Sequence, residues 1–385
     1  MSAVQPQPIT YLPALTSMRG IAAIMVTLHH LSITFLKPWG DAIAKHSQLL
    51  NNSYLWVDFF FILSGFILTH VYAQTFGQQV RKTDYSAFLR SRFARIYPLH
   101  FFTLLWFVAL QLAYLGYFVL LTQRNPGQPV GLDQPFTGNY SLPTLGLNLL
   151  LLQVFDPTSP PWFKDWTYWN EPAWSISAEW LIYLILPLLV MVLLKQRVWL
   201  SGVIYAIALI CVFGVYQAGN LNLVGLPSLV RCAAECITGI LTYRVYQSGQ
   251  FKAIFQNDGF LICSLLVSLG IMSFDWQIPL SIPVFCLMLL ALSHNQGMGQ
   301  TVLSSKPLSF LGMISYSIYL THWFLIKVLV SFWTIKVGEK YLAGASWELS
   351  SAIALLLVGV VIGISTATYY GVEFPMRKRL KRWLA

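Results

Sequence analysis

Ten stretches of this chain are each apolar over close to the length a helix needs to cross the hydrocarbon of a bilayer, about 20 residues. They run near 13–36, 53–74, 98–121, 173–194, 198–217, 225–246, 258–274, 277–293, 308–332 and 349–372, and little sequence is left between them. The pattern predicts an all-α, polytopic membrane helix bundle of about ten transmembrane helices. Composition agrees: 56% of the 385 residues are hydrophobic and only 10% charged, above the apolar share of a soluble domain. The 14 Trp suit interfacial belts at the ends of spans. Only "FDWQ" separates the seventh and eighth segments, which predicts a tight turn around Asp275. The stretch 142–155 is too short to span and reads as a re-entrant or interfacial helix.

The formal net charge of +10 fits either nucleic acid or the cytoplasmic loops of a membrane protein. Its distribution separates the two. With the N-terminus inside, fifteen Lys and Arg fall in inner loops and the tail, six fall outside, and Arg19, Arg231 and Lys327 lie in or at the ends of spans. That asymmetry predicts both termini in the cytoplasm and accounts for the charge without nucleic acid. The start "MSAVQPQPITYLPAL" has no cationic run and leads into a long apolar segment, so the first segment is expected to stay as a span and not to be cleaved. The expected organisation is a short cytoplasmic N-terminus over 1–12, one membrane domain over 13–373 and a basic cytoplasmic tail over 374–385. The longest connection, about 50 residues between the third and fourth spans, would lie outside, where loops of that length are often functional. All five cysteines fall in apolar stretches, and Cys232 and Cys236, four apart, lack further ligands nearby, so neither a disulfide framework nor a metal site is expected.

Ionisable residues inside spans are costly and mostly face an interior cavity. Arg19 and His30 are separated by 11 residues, about three helical turns or roughly 16 Å, and so share one face, whereas His29 points about 100° away. Arg19 can also snorkel to the inner interface, and His30 can simply bond a neighbouring helix. Asp58, in "WVDFFFILSGFILTH", enters at the same end as His30 and is placed to orient an imidazole, or else is an interfacial helix-start residue. Ser64 and Gly65 are a small pair that lets a helix or a substrate chain approach closely. In "RSRFARIYPLH", Arg92 and Arg95 precede a span and can pair with phosphate groups or serve topology alone, with Tyr97 and Pro98 marking the turn into the span. Glu179, in "NEPAWSISAEW", shares a face with Ser175 and lies about two turns inside the span, with Trp174 near its mouth. In "SFLGMISYSIYLTHW", His322 is placed to share a cavity with His30, Asp58 and Glu179, and Tyr316 and Tyr319 lie below it. Arg231 and Glu235 form an i, i+4 pair that can satisfy itself. Glu373 is expected to bridge to a basic neighbour, and Pro375 to stop the last helix.

Taken in order, R-x10-H at Arg19 and His30, "VDFFFILSGFI", "RFARIYP", "WSISAEW", "LGMISYSIYLTHW" and "VEFPMRKRL" resemble the acyltransferase 3 family of integral membrane acyltransferases, in register from about residue 10 to 380. The resemblance implies a membrane O-acyltransferase that moves an acyl group, acetyl above all, from cytoplasmic acyl-coenzyme A to a hydroxyl of an extracytoplasmic carbohydrate, lipid-linked glycan or other small acceptor, in a bacterial inner membrane. It implies catalytic roles for His30, Asp58 and Glu179 and donor binding by Arg19, Arg92, Arg95 and Ser64. Tyr316, His322 and Trp174 are then expected to bind substrate, with no metal and no nucleic acid involved. Where many relatives have an apolar or aromatic residue before the histidine, this chain has His29. Some relatives carry an extra hydrolase-like domain; here the sequence runs about 13 residues past the last predicted span, so the membrane unit is expected to act alone or with a separate partner. A covalent acyl-enzyme remains open at this stage. So does a rival class, a secondary transporter using the buried charges as a path, although no internal repeat of the kind many transporters show is found.

Overall fold

The computed structural model describes residues 12–124, 134–155, 169–219, 225–274 and 278–383, so the predicted turn around Asp275 lies outside the described residues. Helices α1 (Pro13–Ile33), α2 (Lys37–Ala44), α3 (Trp56–Phe76) and α4 (Lys82–Arg124) are followed by the short α5 (Leu142–Leu149). Then come α6 (Trp174–Lys195), α7 (Val198–Gly219), α8 (Leu226–Ser248), α9 (Lys252–Phe255), α10 (Asp258–Phe274) and α11 (Ser281–His294). The chain closes with α12 (Met298–Leu303), α13 (Lys306–Met313), α14 (Ser315–Val337), α15 (Trp347–Thr368) and α16 (Phe374–Trp383). Among the described residues there is no strand, so the fold is all-α as the periodicity predicts.

Each of the ten predicted segments falls on helix, but not every helix qualifies as a span. Six helical runs are long and apolar enough to cross a membrane, and the pair α1 and α2, bent by 104° at Thr34, makes a seventh if counted together. The bend carries α2 away from the α1 axis, and the Trp39 indole N–H, donated to the Ser351 hydroxyl at 3.0 Å, ties it to α15. The other segments depart for visible reasons. Helix α8 carries Arg231, Glu235 and Arg244, while α10 and α11, at 17 and 14 residues, are shorter than a hydrocarbon core requires. The stretch 142–155 forms α5 and a 3-10 turn, Gln153–Phe155, in keeping with a non-spanning element.

Two prolines behave differently from the expectation. Pro98 does not start a span; α4 runs through it for 43 residues, roughly 65 Å, so Arg92 and Arg95 stand on the helix that continues into the apolar part. Pro375 does not stop the last helix. After α15 the backbone widens into a π-helical turn, Tyr369–Glu373, and the helix continues without a break into α16, whose second residue is Pro375; the widened turn accommodates the proline ring and its missing N–H. The segment expected at 308–332 is broken between α13 and α14 at Ile314. This break lies beside the crossing of α1 and α13, where a Cβ on Gly20 would sit 2.6 Å from the Gly312 backbone nitrogen and one on Gly312 would collide with the Thr16 carbonyl oxygen.

A second close crossing joins α3 to α8. A Cβ on Gly65 would collide with the Cys236 carbonyl oxygen, and one on Gly239 with that of Ile62. Of the two uses open for the Ser64–Gly65 pair, Gly65 thus takes the helix approach and leaves Ser64 on a different face. Small residues let helix backbones come this near, and without a hydrophobic drive between helices in lipid that packing carries much of the association. Gly239→Ala should therefore destabilise the detergent-solubilised protein by about 1–3 kcal/mol, read as a lower unfolding temperature. Gly214→Ala on α7, where a Cβ meets nothing within 4 Å, should leave that temperature unchanged or raise it.

Candidate active site

Three cavities follow α1 from its N-terminal to its C-terminal end. The first, about 300 Å³, is lined by Arg19, Arg92, Arg95 and Arg377 together with Ser64, Glu179, Tyr183 and Tyr316. The second, about 30 Å³, is lined by His29, His30, Tyr54, Glu171, Trp174 and Arg231. The third is a vestibule of about 340 Å³ bordered by His29, His30, Ile33, Lys37, Asp41, Asn51 and Glu171. Val57 and Tyr319 border both the first and the second cavity, and His29, His30 and Glu171 both the second and the third. The cavities are therefore neighbours in series, with His30 where the last two meet.

At the first cavity four guanidinium groups converge from three elements: Arg19 from α1, Arg92 and Arg95 from α4, and Arg377 from α16. Among the described residues none of the four has a carboxylate partner within 4 Å. The Arg92 Nε hydrogen is buried without an acceptor, and the guanidinium stands 5.8 Å from the Tyr72 ring centroid. Two carboxylates lie close by, each held by a hydroxyl: Ser64 donates to Glu179, and Ser317 donates to Glu373 at 2.7 Å. Four unpaired cations against two carboxylates leave a site that attracts a multiply charged anion, with planar forks matched to phosphate. Arg377 joins this site because the π-helical turn adds a residue and re-aims α16, which sequence periodicity does not reveal.

His30 has a defined tautomer. Its Nδ1 lies 3.0 Å from the Val26 carbonyl oxygen, and the His322 Nδ1 lies 3.0 Å from that of Ile318. A carbonyl only accepts, so in both neutral rings Nδ1 carries the hydrogen and Nε2 the lone pair. The one His30 Nδ1 hydrogen is then shared between the Val26 carbonyl oxygen and the His322 Nε2, 3.1 Å away, which fixes the His30 ring and leaves its own Nε2 unprotonated. His29 is turned away and held through Nδ1, 2.7 Å from the Leu50 carbonyl oxygen, so of the two adjacent histidines it is His30 that pairs with His322.

The structure separates two groups that the sequence suggested would gather at this imidazole. Asp58 does not orient His30; it is fully buried and accepts from Arg231, with Nε to Oδ1 at 2.7 Å and a second contact from Nη2 to Oδ2. Arg231 is shared, its Nε also 3.4 Å from Glu235, so the i, i+4 pair read from the sequence is half of a buried triad whose other half comes from α3. Glu179 lies with Ser64 in the first cavity, not beside His30. Tyr316 also lines that first cavity and donates to the Ile96 carbonyl oxygen at 2.6 Å. Trp174 borders the second cavity under the Arg231 guanidinium, 5.7 Å from the ring centroid. Glu373 bonds Ser317 instead of forming the expected salt bridge. Sequence reasoning passed over Glu171, Tyr183 and Arg377 as site residues. Among the described residues no three His, Cys, Asp or Glu side chains converge as metal ligands do.

A buried bundle with an anion-attracting end, a fixed imidazole and openings to both sides of that imidazole has the arrangement of a membrane enzyme that joins two substrates. The family described as "Acyltransferase domain" matches residues 12–370, nearly the whole chain, and the protein belongs to this acyltransferase 3 family. It is a membrane O-acyltransferase, which decides between the enzyme and the transporter. Among its relatives is "Acyltransferase MdmB" of Streptomyces mycarofaciens, 28% identical over 98% of this chain and 94% of that protein. "O-acetyltransferase OatA" of Staphylococcus aureus is 21% identical over 96% of this chain, which spans 58% of the relative's length. No solved structure is significantly similar.

The buried triad supports a stability prediction. Removing one partner of a buried ion pair leaves an uncompensated charge and costs about 3–5 kcal/mol. Arg231→Met leaves Asp58 and Glu235 without their shared cation and should therefore lower the unfolding temperature sharply, and adding Asp58→Leu and Glu235→Leu should recover much of the loss.

Proposed function

We propose that the protein transfers an acyl group, acetyl above all, from cytoplasmic acyl-coenzyme A to a hydroxyl of an extracytoplasmic carbohydrate, lipid-linked glycan or similar small acceptor. In this reading the chain crosses a bacterial inner membrane about ten times with both termini inside. The broken and short helices then serve as partial crossings packed inside the bundle, and the arginine cavity faces the cytoplasm. The observation that carries the reading is the series of cavities that joins four unpaired arginines to the lone pair of His30.

The chemistry follows from that order. Arg19, Arg92, Arg95 and Arg377 hold the phosphates of the donor, and the pantetheine arm, extended over roughly the 16 Å of three helical turns, passes Val57 and Tyr319 to bring the thioester to the central cavity. The acceptor enters through the vestibule. The His30 Nε2 takes the proton of its hydroxyl, the oxygen adds to the thioester carbonyl, and the carbon–sulfur bond breaks as the new carbon–oxygen bond is kept. The proton on the imidazole then passes to the departing thiolate, so the ester leaves through the vestibule and free coenzyme A through the arginine cavity. His322 holds the ring in its working tautomer throughout. Direct transfer suits this layout better than an acyl-enzyme, since donor and acceptor reach one imidazole from opposite sides. Ser64 and Glu179 line the donor side, where their hydroxyl–carboxylate bond sets the position of one negative charge among the arginines.

The test uses detergent-purified protein with labelled acetyl-coenzyme A and candidate glycosides. His30→Ala should keep donor binding and lose transfer by about 10²–10⁴-fold, whereas Arg19→Ala or Arg92→Ala should weaken donor binding and reduce its salt dependence. Transfer at the normal rate by His30→Ala contradicts the assignment.

A further inference from the structure

Glu171 is the carboxylate that borders both the central cavity and the vestibule. It faces the same gap as His30. The turn that carries it, Glu171–Ala173, is pinned at each of its carbonyl groups that matter for its position. Asn170 accepts from the Ala173 backbone nitrogen at 2.9 Å, and its side-chain amide donates to the Leu320 carbonyl oxygen on α14 at 3.0 Å. The Pro172 carbonyl oxygen accepts from the hydroxyls of Ser175 and Tyr319, both at 3.0 Å. The Ala173 carbonyl oxygen accepts from the buried Gln153 amide at 2.9 Å. The Glu171 carboxylate itself, by contrast, has no hydrogen bond and no ion pair within 4 Å among the described residues. A rigid platform that presents one unengaged side chain to a cavity is how binding residues are held.

The surroundings specify the ligand. The vestibule's own cation, Lys37, donates to Asp41 at 2.8 Å, so it does not neutralise Glu171. Lys327, whose Nζ stands 5.1 Å from the Trp323 ring centroid, makes no ion pair with Glu171 within 4 Å. Asn51, which also lines the vestibule, offers both a donor and an acceptor. The vestibule volume is that of a small-molecule site.

We propose that Glu171 is the acceptor-recognition carboxylate, accepting a hydrogen bond from one hydroxyl of a neutral or cationic polyhydroxylated ring while a neighbouring hydroxyl is presented to the His30 Nε2, and that its charge turns anionic acceptors away. The proposal rests on the reading of His30 as the base. A ring with adjacent hydroxyls satisfies both groups at once, whereas a uronate or phosphorylated ring brings a second negative charge beside a carboxylate that has no paired cation among the described residues. Such repulsion is a source of specificity between acceptors.

The experiment compares wild type with Glu171→Gln and Glu171→Ala, using the full chain, acetyl-coenzyme A and three probes: methyl glucoside, methyl glucosaminide and methyl glucuronide. Wild type should prefer the first two over the glucuronide by roughly tenfold or more in kcat/KM. In Glu171→Gln that preference should collapse, with KM for the glucoside raised by about tenfold. Glycoside binding without donor is measured separately, and it should be lost in Glu171→Ala and kept in His30→Ala. Failure of the His30 assignment would show as transfer by His30→Ala, whereas failure of this proposal would show as unchanged glycoside binding by Glu171→Ala. An unchanged acceptor preference in Glu171→Gln, or a wild type that favours the glucuronide or binds none of the three probes, overturns it.

Discussion

A helix in hydrocarbon satisfies its own backbone but leaves each ionisable side chain to find an opposite charge, a hydrogen-bond partner or a cavity. The architecture follows from how this chain settles that demand. Asp58 and Glu235 close on Arg231 and form a buried triad that joins α3 to α8. His30 and His322 satisfy each other as neutral rings. Arg19, Arg92, Arg95 and Arg377 have no carboxylate partner within 4 Å among the described residues and gather around one cavity, the place where the proposed function puts an anionic donor.

The irregular backbone of the bundle lies where this cavity needs it. Ser315 and Tyr316 begin α14 immediately after the break at Ile314, and both border the arginine cavity. Arg377 reaches the same cavity from the helix that follows the π-helical turn. Breaks and π turns re-aim side chains that an unbroken helix would send elsewhere, and they recur at functional sites for that reason. The glycine crossings at Gly20 with Gly312 and at Gly65 with Gly239 let the helices come near enough for such short segments to be held.

The all-α membrane class and the helical state of the ten apolar segments were legible in the sequence, because apolar length is a property of contiguous residues, and the family resemblance brought Arg19, Arg92 and Arg95 together. The division between helices that meet the length and composition of a span by themselves and the charged α8 or the short α10 and α11 was not legible. Partners across the fold were also hidden. Asp58 finds Arg231 at a separation of 173 residues, and no spacing rule along one helix announces that choice. Depth along a span placed Glu179 beside His30, yet rotation about the helix axis sends it to Ser64 instead. Glu171 was overlooked because it belongs to a short turn whose value comes from the bonds that pin it.

In the proposed function, donor and acceptor reach His30 from opposite sides of the membrane through cavities that meet at that residue. The most direct measurement is transfer in sealed vesicles with acetyl-coenzyme A confined to the side of the arginine cavity and an impermeant glycoside confined to the other. The account predicts acylated glycoside on its own side and free coenzyme A on the donor side, with little product when both substrates share either compartment. Full activity with both on the same side of an intact membrane would contradict it.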